Sequence, residues 1–197
     1  MRTTALLTSA LLCLCACGDS TPNPDGTPEN REAGLGPGDK VLLWVESSSY
    51  TTDACSNQAE WTAGLEAFNS ALSNAYVAFG GNDEGSVDLL RCAVAGDLES
   101  CTPRNPPVRY EVNGLEYSRS FEDVSPIEDV DCTLVMNFDV VLTDAGDTIV
   151  ERATRTHSLT GSDCEAFEEL VVSESPNGRG ISGCAVTFTS QMAVRKW

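Results

Sequence analysis

Thr133-Leu134-Val135-Met136-Asn137-Phe138-Asp139-Val140-Val141-Leu142-Thr143 decides the fold class, because its polarity alternates residue by residue. Leu134, Met136, Phe138, Val140 and Leu142 fall on one face, with Thr133, Asn137, Asp139 and Thr143 on the other. That is the period of two of a half-buried strand. Asp144-Ala145-Gly146-Asp147 turns the chain into Thr148–Leu159, a more polar partner suited to a sheet edge. Val108–Val112 and Leu115–Phe121 flank Asn113-Gly114, a strong hairpin signal because both residues tolerate positive φ.

Working outward, Val87–Val94 reads as a short strand and 95–104 as a loop, and a last strand starts at Ala185. Lys40–Glu46 is apolar on both faces, with Val41, Leu43 and Val45 against Leu42 and Trp44, which suggests a central strand. Two helices are predicted. Asn57 and Glu60 resemble a capping box ahead of Trp61, Leu65, Phe68, Leu72, Tyr76 and Phe79, and Gly80-Gly81 ends the pattern. Ser162 and Glu165 repeat the box before Phe167, Leu170 and Val171. The order β-α-β-β-β-β-β-α-β predicts an α+β fold, a mostly antiparallel sheet with two helices packed on it, reinforced by disulfides.

Upstream of this domain the composition changes. Arg2 precedes an apolar run, Ala5–Leu14, that is shorter than the ~20 residues a membrane span needs. The run closes on Leu14-Cys15-Ala16-Cys17, which resembles a bacterial lipobox, departing from the commonest pattern at Cys15. The resemblance to bacterial lipoproteins covers residues 1–17 and implies cleavage before Cys17 and its lipidation by a diacylglyceryl thioether plus an amide-linked chain. Several acyl chains anchor stably where one binds reversibly. Gly18–Gly38, with Pro22, Pro24, Pro28 and Pro37, buries too little apolar surface to fold and reads as a tether. The expected organisation is a signal peptide at 1–16, a lipidated cysteine and tether at 17–38, and one domain at 39–197.

The chain holds nine cysteines, of which six (Cys55, Cys92, Cys101, Cys132, Cys164 and Cys184) fall in the domain. In an exported protein an even six predicts three disulfides, and no C-x-x-C spacing favours zinc. Cys92 and Cys101 close a turn-prone loop. A hairpin turning at Ala145-Gly146 sets Cys132 opposite Leu159, near Cys164, which leaves Cys55 with Cys184.

The formal net charge of −18 disfavours nucleic acid and anionic headgroups as partners. His157, the single histidine, falls across from Leu134 on the sheet's apolar face and reads as structural. Ser182 in Gly180-Ile181-Ser182-Gly183-Cys184 lacks the pattern of a nucleophile elbow. Asp123, Glu128, Asp129 and Asp131 are candidates for weak calcium binding, but they lack EF-hand spacing and read as a solvated acidic loop. Phosphate-binding signatures are absent, and no cofactor is expected. These features predict a lipid-anchored protein of the bacterial cell envelope, a non-enzymatic binding or structural module with a protein or glycan partner. The alternative is an extracytoplasmic carboxylate-dependent hydrolase, which needs two carboxylates about 5–10 Å apart.

Overall fold

The structure, a computed structural model, describes residues 32–53, 76–94 and 96–194. Among them are strands β1 (Lys40–Asp53), β2 (Tyr76–Gly81), β3 (Ser86–Cys92), β4 (Cys101–Asn113) and β5 (Glu116–Pro126). β6 (Thr133–Asp144), β7 (Thr148–Thr160), helix α1 (Cys164–Glu174) and β8 (Ala185–Val194) follow. Each strand is antiparallel to its chain neighbours, and β8 returns to pair with β1 from Leu43↔Val194 to Asp53↔Ala185. The result is a closed eight-stranded barrel.

This corrects the α+β expectation in three places. The helix expected from Asn57 lies mostly outside the described residues, but its last turns are strand: Val77 and Phe79 alternate into the barrel, while Tyr76 and Ala78 face outward. Gly80-Gly81 is not a helix stop. A Cβ at Gly81 would lie 2.1 Å from the Gly36 carbonyl oxygen, so glycine is what lets the N-terminal segment cross here. Second, β7 is not an edge, since it pairs with both β6 and β8. Third, α1 packs on no sheet face. Only its first residue, Cys164, is buried, and Leu170 and Val172 are 51% and 36% exposed.

The barrel explains why β1 is apolar on both sides. Val41, Leu43 and Val45 point inward with Phe79, Val87, Leu89, Tyr110, Tyr117, Leu142, Ile149, Met192 and Val194, which fill one end of the lumen. Leu42 points outward into a smaller cluster with Ala78, Leu90 and Cys101, beside the turn that the Cys92–Cys101 disulfide closes. A closed sheet has no edges, so a strand whose outer face is also covered reads as central wherever it lies.

The filled end is sealed by polar groups. Asp144 is buried and accepts from Tyr117 Oη at 2.6 Å, from the Gly34 amide at 3.0 Å and from the Gly146 amide at 2.9 Å. Leu35 packs on the core, and the Gly38 amide donates to the Gly81 carbonyl at 3.0 Å. Residues 34–38, which composition assigned to the tether, are thus docked on this end of the barrel.

Asp144 also sets the hairpin register. It belongs to β6 and pairs with Ile149, so the turn falls later than Ala145-Gly146. His157 therefore stands opposite Met136 rather than Leu134, and Leu159 opposite Leu134 rather than Cys132. The slip is even, so each side chain stays on its expected face.

Candidate functional site

The lumen side of β7 carries Ile149, Glu151, Ala153, Arg155, His157 and Leu159 in alternation. Their β6 partners are Asp144, Leu142, Val140, Phe138, Met136 and Leu134. Glu151, Arg155 and His157 are each 3% exposed. They are set among apolar neighbours because they occupy inward positions on the β7 pleat, whose direction Ile149 on the filled core and the long β6 ladder fix.

The charged groups lie at two levels. Glu151 sits within the apolar core, between Leu142 on β6 and Ser190 on β8, with the core residues Ile149 and Ala153 on either side of it along β7. The Ser190 hydroxyl is 3.0 Å from that of Ser48. The Glu151 carboxyl makes no hydrogen bond or ion pair among the described residues. Burial alone pushes its pKa up to about 7, because no neighbouring charge or donor offsets the lost hydration.

Arg155 lies four residues further along β7, about 13 Å at the usual strand rise. Its guanidinium carbon is 6.0 Å from the ring centres of both Phe138 and Phe188. Phe138 stacks on Phe121 with centroids 4.6 Å apart and planes at 6°, and Arg119 caps Phe121 at 4.4 Å. Two guanidiniums and three phenylalanine rings thus form one layer, in which the ring faces partly replace the hydration that burial removes. Arg155 is pulled down to about 10 by burial and stays cationic at neutral pH. His157 is lowered to about 4, first by burial and then by the charge of Arg155, so its imidazole is neutral.

The other sequence-predicted residues fall elsewhere. Cys17 and Cys55 lie outside the described residues. Cys92–Cys101 and Cys132–Cys164 are bonded, with Cα–Cα distances of 3.8 and 4.9 Å, as the sequence paired them. Cys184 is also disulfide-bonded. The calcium candidates do not converge. Asp123 is on the lumen side of β5 opposite Met136, whereas Glu128 and Asp129 are exposed in the turn before β6. Asp131 accepts the Ser162 hydroxyl at 2.7 Å, a contact that lowers its pKa. Ser162 therefore does not cap α1. The helix starts after Asp163 without a side-chain cap, and no group of three or more metal-ligating side chains occurs among the described residues.

At the end of β7, α1 borders an open groove of about 520 Å³, whose lining includes the lumen-facing Leu159 with Val172, Glu165 and Glu168. Glu168 is committed to structure there. Its Oε1 accepts the Ser182 amide at 2.9 Å and fills the space where a Cβ on Gly180 would sit.

Sequence reasoning missed Glu151, Arg155, Arg119 and Ser190. The usable signal was the β6–β7 hairpin itself. The alternation that placed His157 on the apolar face also places Arg155 and Glu151 there. No protein-family model matches the sequence, and no curated protein or solved structure matches it.

Proposed function

We propose that the protein is a lipid-anchored binding module of the bacterial cell envelope, tethered through Cys17, whose barrel holds a small organic ligand. One observation carries the reading: a buried carboxyl, Glu151, lies within the apolar interior of the barrel with no hydrogen-bond or ion-pair partner among the described residues. A barrel of eight strands is wide enough either to be filled by side chains or to hold one small ligand. A fully filled lumen has no need of a carboxyl that burial destabilises.

Several features support the rest of the reading. Ser118, Ser120 and Glu122 on β5, Asn137 and Asp139 on β6, and Arg152, Thr154 and Thr156 on β7 alternate with the lumen residues and so face outward. That is a water-facing outer wall, the reverse of the apolar outer band of a membrane-spanning barrel. The disulfides fit an oxidising compartment. The alternative of a carboxylate-pair hydrolase gains little here. Glu151 and Asp123 flank β6 at Leu142 and Met136, about 20 Å apart along that strand.

The test has two parts. Mass spectrometry of the mature N-terminus should find diacylglyceryl-modified Cys17, and an unmodified start at another residue would refute the anchor. Thermal-shift screening of the purified protein with small organic anions, cations and neutral compounds should find a saturable stabiliser whose binding perturbs the NMR signals of His157 and Met136. A panel in which none stabilises would refute the ligand-binding reading.

A further inference from the structure

We infer that the groove between α1 and the end of β7 is a docking site for a cationic, partly apolar peptide segment of another protein. This holds whether or not the barrel takes a small ligand. The floor of the groove is apolar and braced. Leu159 packs against the lumen cluster of Leu134, Met136 and Phe138, and Val172 of α1, also in the lining, is 36% exposed. An open groove of about 520 Å³ does not enclose a small molecule as a closed pocket does. A peptide laid along it covers the apolar floor with its own side chains.

The charge of the walls selects the occupant. Every charged residue of α1 is acidic, and three of them, Glu165, Glu168 and Glu169, line the groove. Glu168 and Glu169 follow Glu165 by three and four residues, a spacing at which like charges on a helix repel. Neither Glu165 nor Glu169 has a hydrogen bond or ion pair from its side chain among the described residues. The buried Oε2 of Glu168 accepts no hydrogen bond among them either. A Lys or Arg side chain entering here relieves the repulsion and supplies the missing donors. Val172 lies about 10 Å beyond Glu165 at the usual helical rise, a span covered by two or three residues of an extended peptide. The occupant therefore carries its cation and an apolar side chain two or three residues apart. The same charge disfavours other occupants. A second copy, with its own net charge of −18, and anionic lipid headgroups are both repelled.

Fluorescence anisotropy of the purified protein with labelled Lys-Lys-Leu-Leu-Lys-Lys, Glu-Glu-Leu-Leu-Glu-Glu and Lys-Lys-Ser-Ser-Lys-Lys peptides tests this. The Lys/Leu peptide should bind saturably, more weakly as salt is raised, and more tightly than either of the others. Glu165→Gln with Glu169→Gln should weaken its binding about fivefold, whereas Glu111→Gln with Glu122→Gln, the same charge change outside the groove, should alter it by less than about twofold. Glu168 is left in place because it holds the Ser182 amide. NMR shifts of the wild-type protein on binding should centre on Val172, Ser173 and Ser182. Three results would each overturn the proposal: no saturable binding, a control peptide binding as tightly as the Lys/Leu peptide, or equal losses in the two double variants. Shifts centred on His157 and Met136 with α1 unmoved would overturn it and move the peptide into the barrel. Concentration-dependent dimerisation that covers the α1 signals would give the groove to a second copy and overturn it as well.

Discussion

Replacing Glu151 by glutamine separates the energetic cost of this carboxyl from its shape. The pKa is 4.5 in ordinary surroundings and about 7 in the barrel. Below pH 4.5 the folded and unfolded chains both carry the neutral acid, and the side chain contributes its full relative stability. Between pH 4.5 and 7 the unfolded chain loses the proton first, so stability falls as pH rises. Above 7 both forms are ionised and the penalty is complete, at about 3 kcal/mol for a gap of this size. Glutamine has nearly the same shape and never ionises. Glu151→Gln should therefore match the wild type at pH 4 and exceed it by about 3 kcal/mol at pH 8, or about 6–12 °C in melting temperature for a chain of this size. Urea unfolding at half-unit pH steps, without reductant, measures the difference curve, and groups untouched by the substitution cancel in it. His157 acts with the opposite sign. Its lowered pKa means that stability is lost as pH falls from 6.5 through about 4. The variant should keep that acid-side loss and shed the alkaline one. A difference curve that is flat between pH 4 and 8, or a variant less stable than wild type at pH 8, would refute the placement of a charged Glu151 inside the barrel.

Three further outcomes are expected. Because the chain has a single histidine, its imidazole signals are unambiguous by NMR; they should titrate near pH 4 and stay unchanged from pH 5.5 to 8, and a midpoint near 6.5 would place His157 in solvent. Tyr117→Phe removes the 2.6 Å donor to buried Asp144 and should cost about 1–3 kcal/mol by denaturant unfolding, whereas no loss would mean that the carboxylate is not sealed from water. Opening the Cys132–Cys164 bridge by double serine substitution should cost about 4 kcal/mol, since the bridge closes a loop with a sequence separation of 32. Fast amide exchange should then appear in α1 but not in β6, and uniform loss of protection would contradict the helix being held mainly at its first residue.

The parts of this fold that were legible in the sequence are those where local pattern and tertiary environment agree. β6 shows its alternation because its lumen face is wholly apolar from Leu134 to Leu142 and its outer face is wet. The Asn113-Gly114 hairpin and two of the disulfides follow from turn chemistry and chain proximity. Closure itself was hidden. It depends on β1 meeting β8, a pairing between distant segments that leaves no local mark beyond a strand apolar on both sides. β2 was misread because Tyr76 and Phe79 also satisfy a helical spacing, and two residues of a short strand cannot outvote a longer apparent period.

β7 was the costly misreading, and its cause bears on function. A strand announces its buried face by contrast, and β7 has little. Arg152, Thr154 and Thr156 face outward, while Glu151, Arg155 and His157 face the lumen. Read alone, such a strand looks like a wet edge. Its position between β6 and β8 shows instead that charge has been carried into the interior, against the preference that governs the rest of the barrel. Where a sequence breaks its own packing pattern and still folds, a functional demand on those positions is the physical reason to test first. Here the break falls on Glu151, Arg155 and His157, all on one side of one strand. Arg155 lies near two rings and His157 is neutral, which leaves Glu151 as the position where no group among the described residues offsets the cost of burial.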